Sequence, residues 1–235
     1  MNWKISLGVL GCIIMIIFLI RCADEDVKKH TTVLGQNGTR YESYREACDD
    51  YDFQAAHDFI TLMEKEKDGS FTKEWDDYDV DEAIKYVFQR EASYLLLEIG
   101  EDGERRVIYL INESPQNQQI SNGSYVVDLA IMDENTDFAM KVLGVMSIAV
   151  KKFQKPEGTY ADSEDYDIIF NYNKTCEKIL DYAISNGDAD LAKKSLSMFI
   201  QDAFIDDEYN IQYKNDSKDT ARLKYDEAVK SGVFN

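Results

Sequence analysis

The first residues to weigh for chemistry are the acids at Asp76, Asp77, Asp79 and Asp81, because Asp77-Tyr78-Asp79-Val80-Asp81 has the alternating carboxylates of a calcium loop. A helical calcium loop also needs Gly at its sixth position and Glu at its twelfth, and those positions hold Glu82 and Phe88. The motif fails. A solvated helix start is the ordinary reading of these acids, with weak calcium binding as its alternative, and the cluster Asp162, Glu164, Asp165 and Asp167 reads the same way. Trp75 lies beside Phe71, Tyr78 and several carboxylates in a stretch with little helical periodicity. Aromatic faces next to carboxylates stack on and hydrogen-bond to sugars, so Trp75, Asp76, Asp77, Tyr78 and Asp79 are the candidate binding residues. The competing reading has Trp75 packed under its own loop.

Other reactive groups are sparse. The two histidines, His30 and His57, are isolated, and there is no His pair at helical spacing, no Cys-x-x-Cys and no phosphate-binding glycine loop. No serine sits in a Gly-x-Ser-x-Gly elbow. These gaps predict no catalytic residue, no metal and no cofactor. With 45 acidic against 26 basic residues and a net charge of -19, the chain repels phosphate backbones, which excludes direct nucleic-acid binding and favours a basic protein partner. Hydrophobic residues make up 44% of it, too many for an acidic disordered chain.

The N-terminus carries Lys4 followed by an uncharged run from Ile5 to Ile20. Sixteen helical residues rise about 24 Å, short of the roughly 30 Å hydrocarbon core. A secretory signal fits better than a permanent span, with a tilted uncleaved anchor as the alternative. The run closes on Leu19-Ile20-Arg21-Cys22, then Ala23-Asp24-Glu25-Asp26. This resembles a bacterial lipoprotein signal, in which the cysteine is lipidated and becomes the first mature residue. The acids Asp24, Glu25 and Asp26 resemble the sorting signal of Bacteroidetes lipoproteins carried to the outer face of the outer membrane. Arg21 departs from the family pattern, which places a small residue before the cysteine. The resemblance covers about the first 26 residues and implies a cell-envelope protein held to the membrane through Cys22.

Residues 1–21 are thus expected to be signal or anchor, 22–40 an acidic tether, and 41–235 the folded body. The body is expected to be all-α. Apolar residues recur at steps of three and four in Phe138, Ala139, Val142, Leu143, Met146, Ala149, Val150 and Phe153, and likewise in Tyr172, Cys176, Ile179, Leu180 and Ala183. Leu191, Ala192, Ser195, Leu196, Phe199 and Ile200 follow the same rule. The segment Ala130-Ile131-Met132-Asp133-Glu134-Asn135 aligns without a gap on Ala183-Ile184-Ser185-Asn186-Gly187-Asp188, and a looser copy begins at Ala47 with a turn read as two residues shorter. Helical hairpins are expected at 41–66, 80–114, 124–153 and 164–202, with a last helix at 217–231. The turn pattern resembles tetratricopeptide-type helical-hairpin repeat proteins without their regular period; an irregular helical bundle is the alternative. Cys48 and Cys176 are expected to be small buried residues or a bridge.

The expected function is a lipid-anchored, non-enzymatic helical module that binds a protein partner. The alternatives are a surface glycan-binding or glycan-processing lipoprotein and an acidic immunity or inhibitor protein. The sequons Asn37-Gly38-Thr39 and Asn173-Lys174-Thr175 carry no weight in the bacterial reading.

Overall fold

A computed structural model describes residues 32–69, 75, 77–153, 163–200, 203–206, 211–214 and 217–234. Cys22, Asp24, Glu25, Asp26 and Asp76 lie outside the described residues. The protein is all-α, and it divides into two compact units, one ending at Ala83 and the other beginning at Ile84. No described helix is long and apolar enough to cross a membrane.

In the first unit, strands β1 (Val33–Leu34) and β2 (Arg40–Tyr41) pair antiparallel. The last part of the expected tether is therefore ordered. Asp52 is the reason: one carboxylate oxygen accepts the Gln36 N–H at 3.1 Å and the other accepts the Ala55 N–H at 3.2 Å, tying the ribbon to a helix start. Helix α1 (Tyr44–Asp49) is opened by Ser43, whose hydroxyl accepts the Glu46 N–H at 3.2 Å. Helix α2 (Phe53–Gly69) buries Ala55, Ala56, Phe59, Ile60 and Met63, the helical spacing of a core-facing stripe. The boundary between the units falls within helix α3 (Asp77–Tyr94).

The second unit continues with a π-helical turn at Leu95–Ile99, then α4 (Glu101–Glu113), α5 (Gln116–Met132) and α6 (Thr136–Val150). Next come α7 (Ser163–Ser185), α8 (Ala189–Met198), a two-stranded ribbon of β3 (Ala203–Asp206) and β4 (Ile211–Lys214), and α9 (Ser217–Lys230). One core joins the helices: the predicted α6 stripe from Phe138 to Val150 is buried, as are the predicted residues of α7.

Two expected boundaries move. The hairpin expected from residue 124 starts at Gln116, and Asn122-Gly123 is helix interior. Asn122 is buried and donates to Ser114 Oγ at 3.0 Å, and a Cβ on Gly123 would stand 2.5 Å from Met146 Cγ. Here the glycine serves close approach of α5 to α6. The hairpin expected to reach 202 ends at Met198, where Phe199 turns extended (ψ 137). The four-residue strands beyond it are too short to show alternation in sequence.

The turns repeat more faithfully than the sequence suggested. Asn135 N–H reaches Ala130 C=O at 2.8 Å, and Asp188 N–H reaches Ala183 C=O at 2.8 Å. Asp52 N–H reaches Ala47 C=O at 2.8 Å and Val233 N–H reaches Ala228 C=O at 3.1 Å, so the turn after Ala47 has the same length as the others, not two residues fewer. All four are Schellman turns with a left-handed residue one place earlier: Tyr51 (φ 59), Glu134 (φ 56), Gly187 (φ 68) and Gly232 (φ 75). In the first three, the residue closing one helix also caps the next. Asp52 does so through Ala55, Asn135 Oδ1 accepts from Phe138 N at 3.1 Å, and Asp188 Oδ1 accepts from Leu191 N at 2.9 Å. Glu134 bears a Cβ where Gly187 and Gly232 bear none. Glu134→Gly should therefore raise stability by about 1 kcal/mol, the strain of a left-handed L-residue, read as a higher denaturation midpoint at unchanged slope.

Helix α9 is tied to α7 by charge. Lys224 Nζ donates to Asp181 at 2.6 Å and to Glu177 at 3.2 Å, and Lys174 also reaches Glu177, at 3.1 Å. Burial works against the Glu177 charge, but the Lys174 and Lys224 hydrogen bonds outweigh it and hold the carboxyl below its usual range. Burial likewise opposes the Lys224 charge, and the bonds from Asp181 and Glu177 outweigh it and raise its pKa. A depressed carboxyl stabilises above its ordinary pKa and loses that contribution as pH falls through the folded value. A raised lysine stabilises below its ordinary pKa and loses it as pH rises through the folded value. Amide exchange in α9 should thus accelerate relative to α7 at both the acidic and the alkaline extremes, and in high salt, with a flat response between.

Candidate functional site

The residues singled out in sequence fall at the start of α3. Tyr78 is exposed, Asp77 is exposed, Asp79 is half-buried, and Trp75 is half-buried two residues before the helix. Asp77 and Asp79 occupy the first turn, where the helix N-terminus favours negative charge. Successive helical positions diverge by about 100°, so Asp77, Tyr78 and Asp79 do not converge on one face. Among the described residues, no group of three His, Cys, Asp or Glu is placed to hold a metal ion.

A different constellation lies in the second unit. Two helix turns, the one around Gly100 and the one between α5 and α6, enclose a cleft of about 550 Å³. Leu96, Leu97, Leu129, Ala130, Met132 and Phe138 supply its apolar walls. Its charged lining consists of Glu101, Glu104 and Asp133, all acids. Leu97 and Met132 stand at 79% and 81% exposure.

The local fold explains how these groups come together. Three leucines in succession cannot all face a core. Leu95 is buried, Leu96 is half-buried, and Leu97 is left outside by the π-helical turn. Such turns recur at functional positions. Gly100 (φ 68) then reverses the chain, and Gly103 lies so close to the Leu95 carbonyl that no side chain fits between. This contact sets Glu104 against the neighbouring turn. Glu104 Oε1 accepts from Asn135 Nδ2 at 2.8 Å, and Oε2 accepts from Lys141 Nζ at 3.4 Å. The Glu104 side chain is only 17% exposed, while that of Lys141 is 62% exposed. Asn135 is fully engaged, since its Oδ1 caps α6 and its N–H closes the turn. The carboxylate is therefore fixed at the cleft edge. The arrangement provides an apolar seat beside a fixed anion, which is binding chemistry.

Leu97, Met132, Glu104 and Asn135 do not stand out in the sequence as site residues. One signal is present there: Met132 occupies the repeat position that holds Ser185 in the other copy, a large apolar residue where the fold demands none.

The buried thiol offers no nucleophile. Cys48 and Cys176 are both buried, and they form no disulfide with each other. Burial pushes the Cys176 thiol up to about 12, so it stays protonated at neutral pH. Its neighbour Tyr172 is also raised, first by burial and then by Cys176, and its hydroxyl donates to the Met198 carbonyl at 3.1 Å.

No protein-family model matches the chain, and no curated protein matches it. Among solved structures, the chain is similar to a de novo designed helical repeat protein at 16% identity and a TM-score of 0.34, over 91% of this chain and 89% of that one. A superposition that loose bears on neither fold detail nor function.

Proposed function

We propose that this is a lipid-anchored cell-envelope protein whose helical body binds a protein partner without catalysing a reaction, and that the cleft between the Gly100 turn and the α5–α6 turn is its docking face. The observation that carries the reading is the pairing of exposed Leu97 and Met132 with a wholly acidic charged lining. Fully burying a large aliphatic side chain gains roughly 1.5–3 kcal/mol, so two left in water beside a cavity have a partner to gain. The volume lies within the range of about 300–1,000 Å³ typical of ligand sites. Anchoring rests on the apolar run ending at Cys22 and the acids Asp24, Glu25 and Asp26.

Each half of the reading has its own test. Intact mass and acyl labelling of membrane-extracted protein should show lipid on Cys22 and loss of residues 1–21, both abolished by Cys22→Ala. Full-length unlabelled protein would make the run Ile5–Ile20 the anchor instead. For docking, a photo-crosslinker at Leu97 or Met132 should give one discrete adduct in cells. The same group at Ile148, equally apolar and 67% exposed on α6, should give none. Equal adducts from all three positions would remove the cleft from the account.

A further inference from the structure

We infer that the partner enters this cleft with a large apolar side chain next to an arginine, and that the guanidinium takes over the Glu104 oxygen now held by Lys141. The inference rests on the reading of the cleft as the docking face and names the chemistry that face selects.

Charge complementarity points to a cation. All three charged residues lining the cleft are acids, in a chain of net charge -19. Of these, Glu104 is the one held in place, by an asparagine side chain that cannot turn away without uncapping α6. A carboxylate offers about four acceptor positions, and here two are used. The bond from Asn135 is short and part-buried. The bond from Lys141 is 3.4 Å long and comes from a largely exposed, flexible side chain. It is the bond a competitor replaces at least expense.

Arginine fits better than lysine at that place. Its planar fork gives two parallel N–H donors to one carboxylate, where an ammonium acts as a single point charge. The apolar part of the ligand is set by Leu97 and Met132, which flank the seat and become buried when it is filled. An apolar residue followed by arginine spans the seat and the anion together.

The test uses three capped tripeptides against the full chain: acetyl-Leu-Leu-Arg-amide, acetyl-Leu-Leu-Gln-amide and acetyl-Ala-Ala-Arg-amide. Binding is followed through the methyl resonances of Met132 and Leu97. The Leu-Leu-Arg peptide should give saturable shifts, with affinity about tenfold above the Leu-Leu-Gln peptide, the gain of one charge-assisted hydrogen-bond pair. Glu104→Gln should erase that difference. Lys141→Ala should strengthen Leu-Leu-Arg binding by removing the internal competitor, an effect that a merely folded-state role for Lys141 would not produce. If no peptide shifts Met132 or Leu97, the docking reading itself falls. If the arginine and glutamine peptides bind equally while both shift the methyls, docking stands and the arginine inference is overturned. Equal binding of the Ala-Ala-Arg peptide would overturn the apolar part.

Discussion

Asn173→Ala is expected to destabilise the second unit by about 3–5 kcal/mol, lowering its melting temperature by about 10 °C. The side chain is 1% exposed. Its Nδ2 donates to the Ile200 carbonyl at 2.8 Å, and its Oδ1 accepts the Ile200 N–H at 3.0 Å. Both polar groups of one buried residue's backbone thus depend on one side chain, at the point where α8 ends and the chain turns extended. Truncation leaves two unsatisfied backbone groups, each costing about 1–3 kcal/mol. Asn173→Asp should do no better, because it replaces the donor by an oxygen facing the carbonyl. Thermal denaturation gives the magnitude, and amide exchange gives the location, since the Ile200 amide should lose its protection first. A loss below about 1 kcal/mol would mean that the two bonds do not hold the segment. The same geometry excludes glycosylation of Asn173 in the folded chain, although its sequon is intact.

Gly103→Ala has the next largest expected effect, and its sign is the informative part. Helix propensity alone favours alanine over glycine by about 1 kcal/mol inside a helix. At Gly103 a Cβ would collide with the Leu95 carbonyl, stand 2.6 Å from its carbon and 3.2 Å from Ile99 Cβ. Backbone has to move, so the substitution should destabilise by about 3 kcal/mol and disturb the cleft wall formed by Leu96 and Leu97. Gly144, in the middle of α6, has open space within 4 Å of the place a Cβ would take. Gly144→Ala should therefore stabilise by about 1 kcal/mol. Opposite shifts in denaturant midpoint for these two substitutions separate close packing from intrinsic propensity. A stabilised Gly103→Ala would refute the tight turn.

How much of this is legible in the sequence depends on the range of the interaction. The stripe of α6 is readable because its residues face one core and repeat locally, and every predicted position from Phe138 to Val150 is buried. The α5–α6 and α7–α8 turns are readable because one residue type, Asn or Asp, performs both the closing and the capping. Glycines mislead. Gly123 has the look of a loop and is a contact with Met146, because close approach and chain reversal call for the same residue. Asn173 has the pattern of a surface acceptor and is an internal clamp. The cleft is invisible in sequence because Glu104 and Asn135 are 31 positions apart and meet only through the Gly103 approach. Conversely, Trp75 and Tyr78 draw notice by composition, which says nothing about whether neighbours in sequence face the same way.

The shared closing and capping residue has a consequence for how the chain tolerates change in length. Because Asp52, Asn135 and Asp188 each end one helix and begin the next, these turns contain no spare residue. One inserted amino acid would rotate the following helix by about 100° about its axis and carry its apolar stripe out of the core. Insertions in these three turns should abolish folding in a scanning library, although the turns lie on the surface where loops ordinarily accept them.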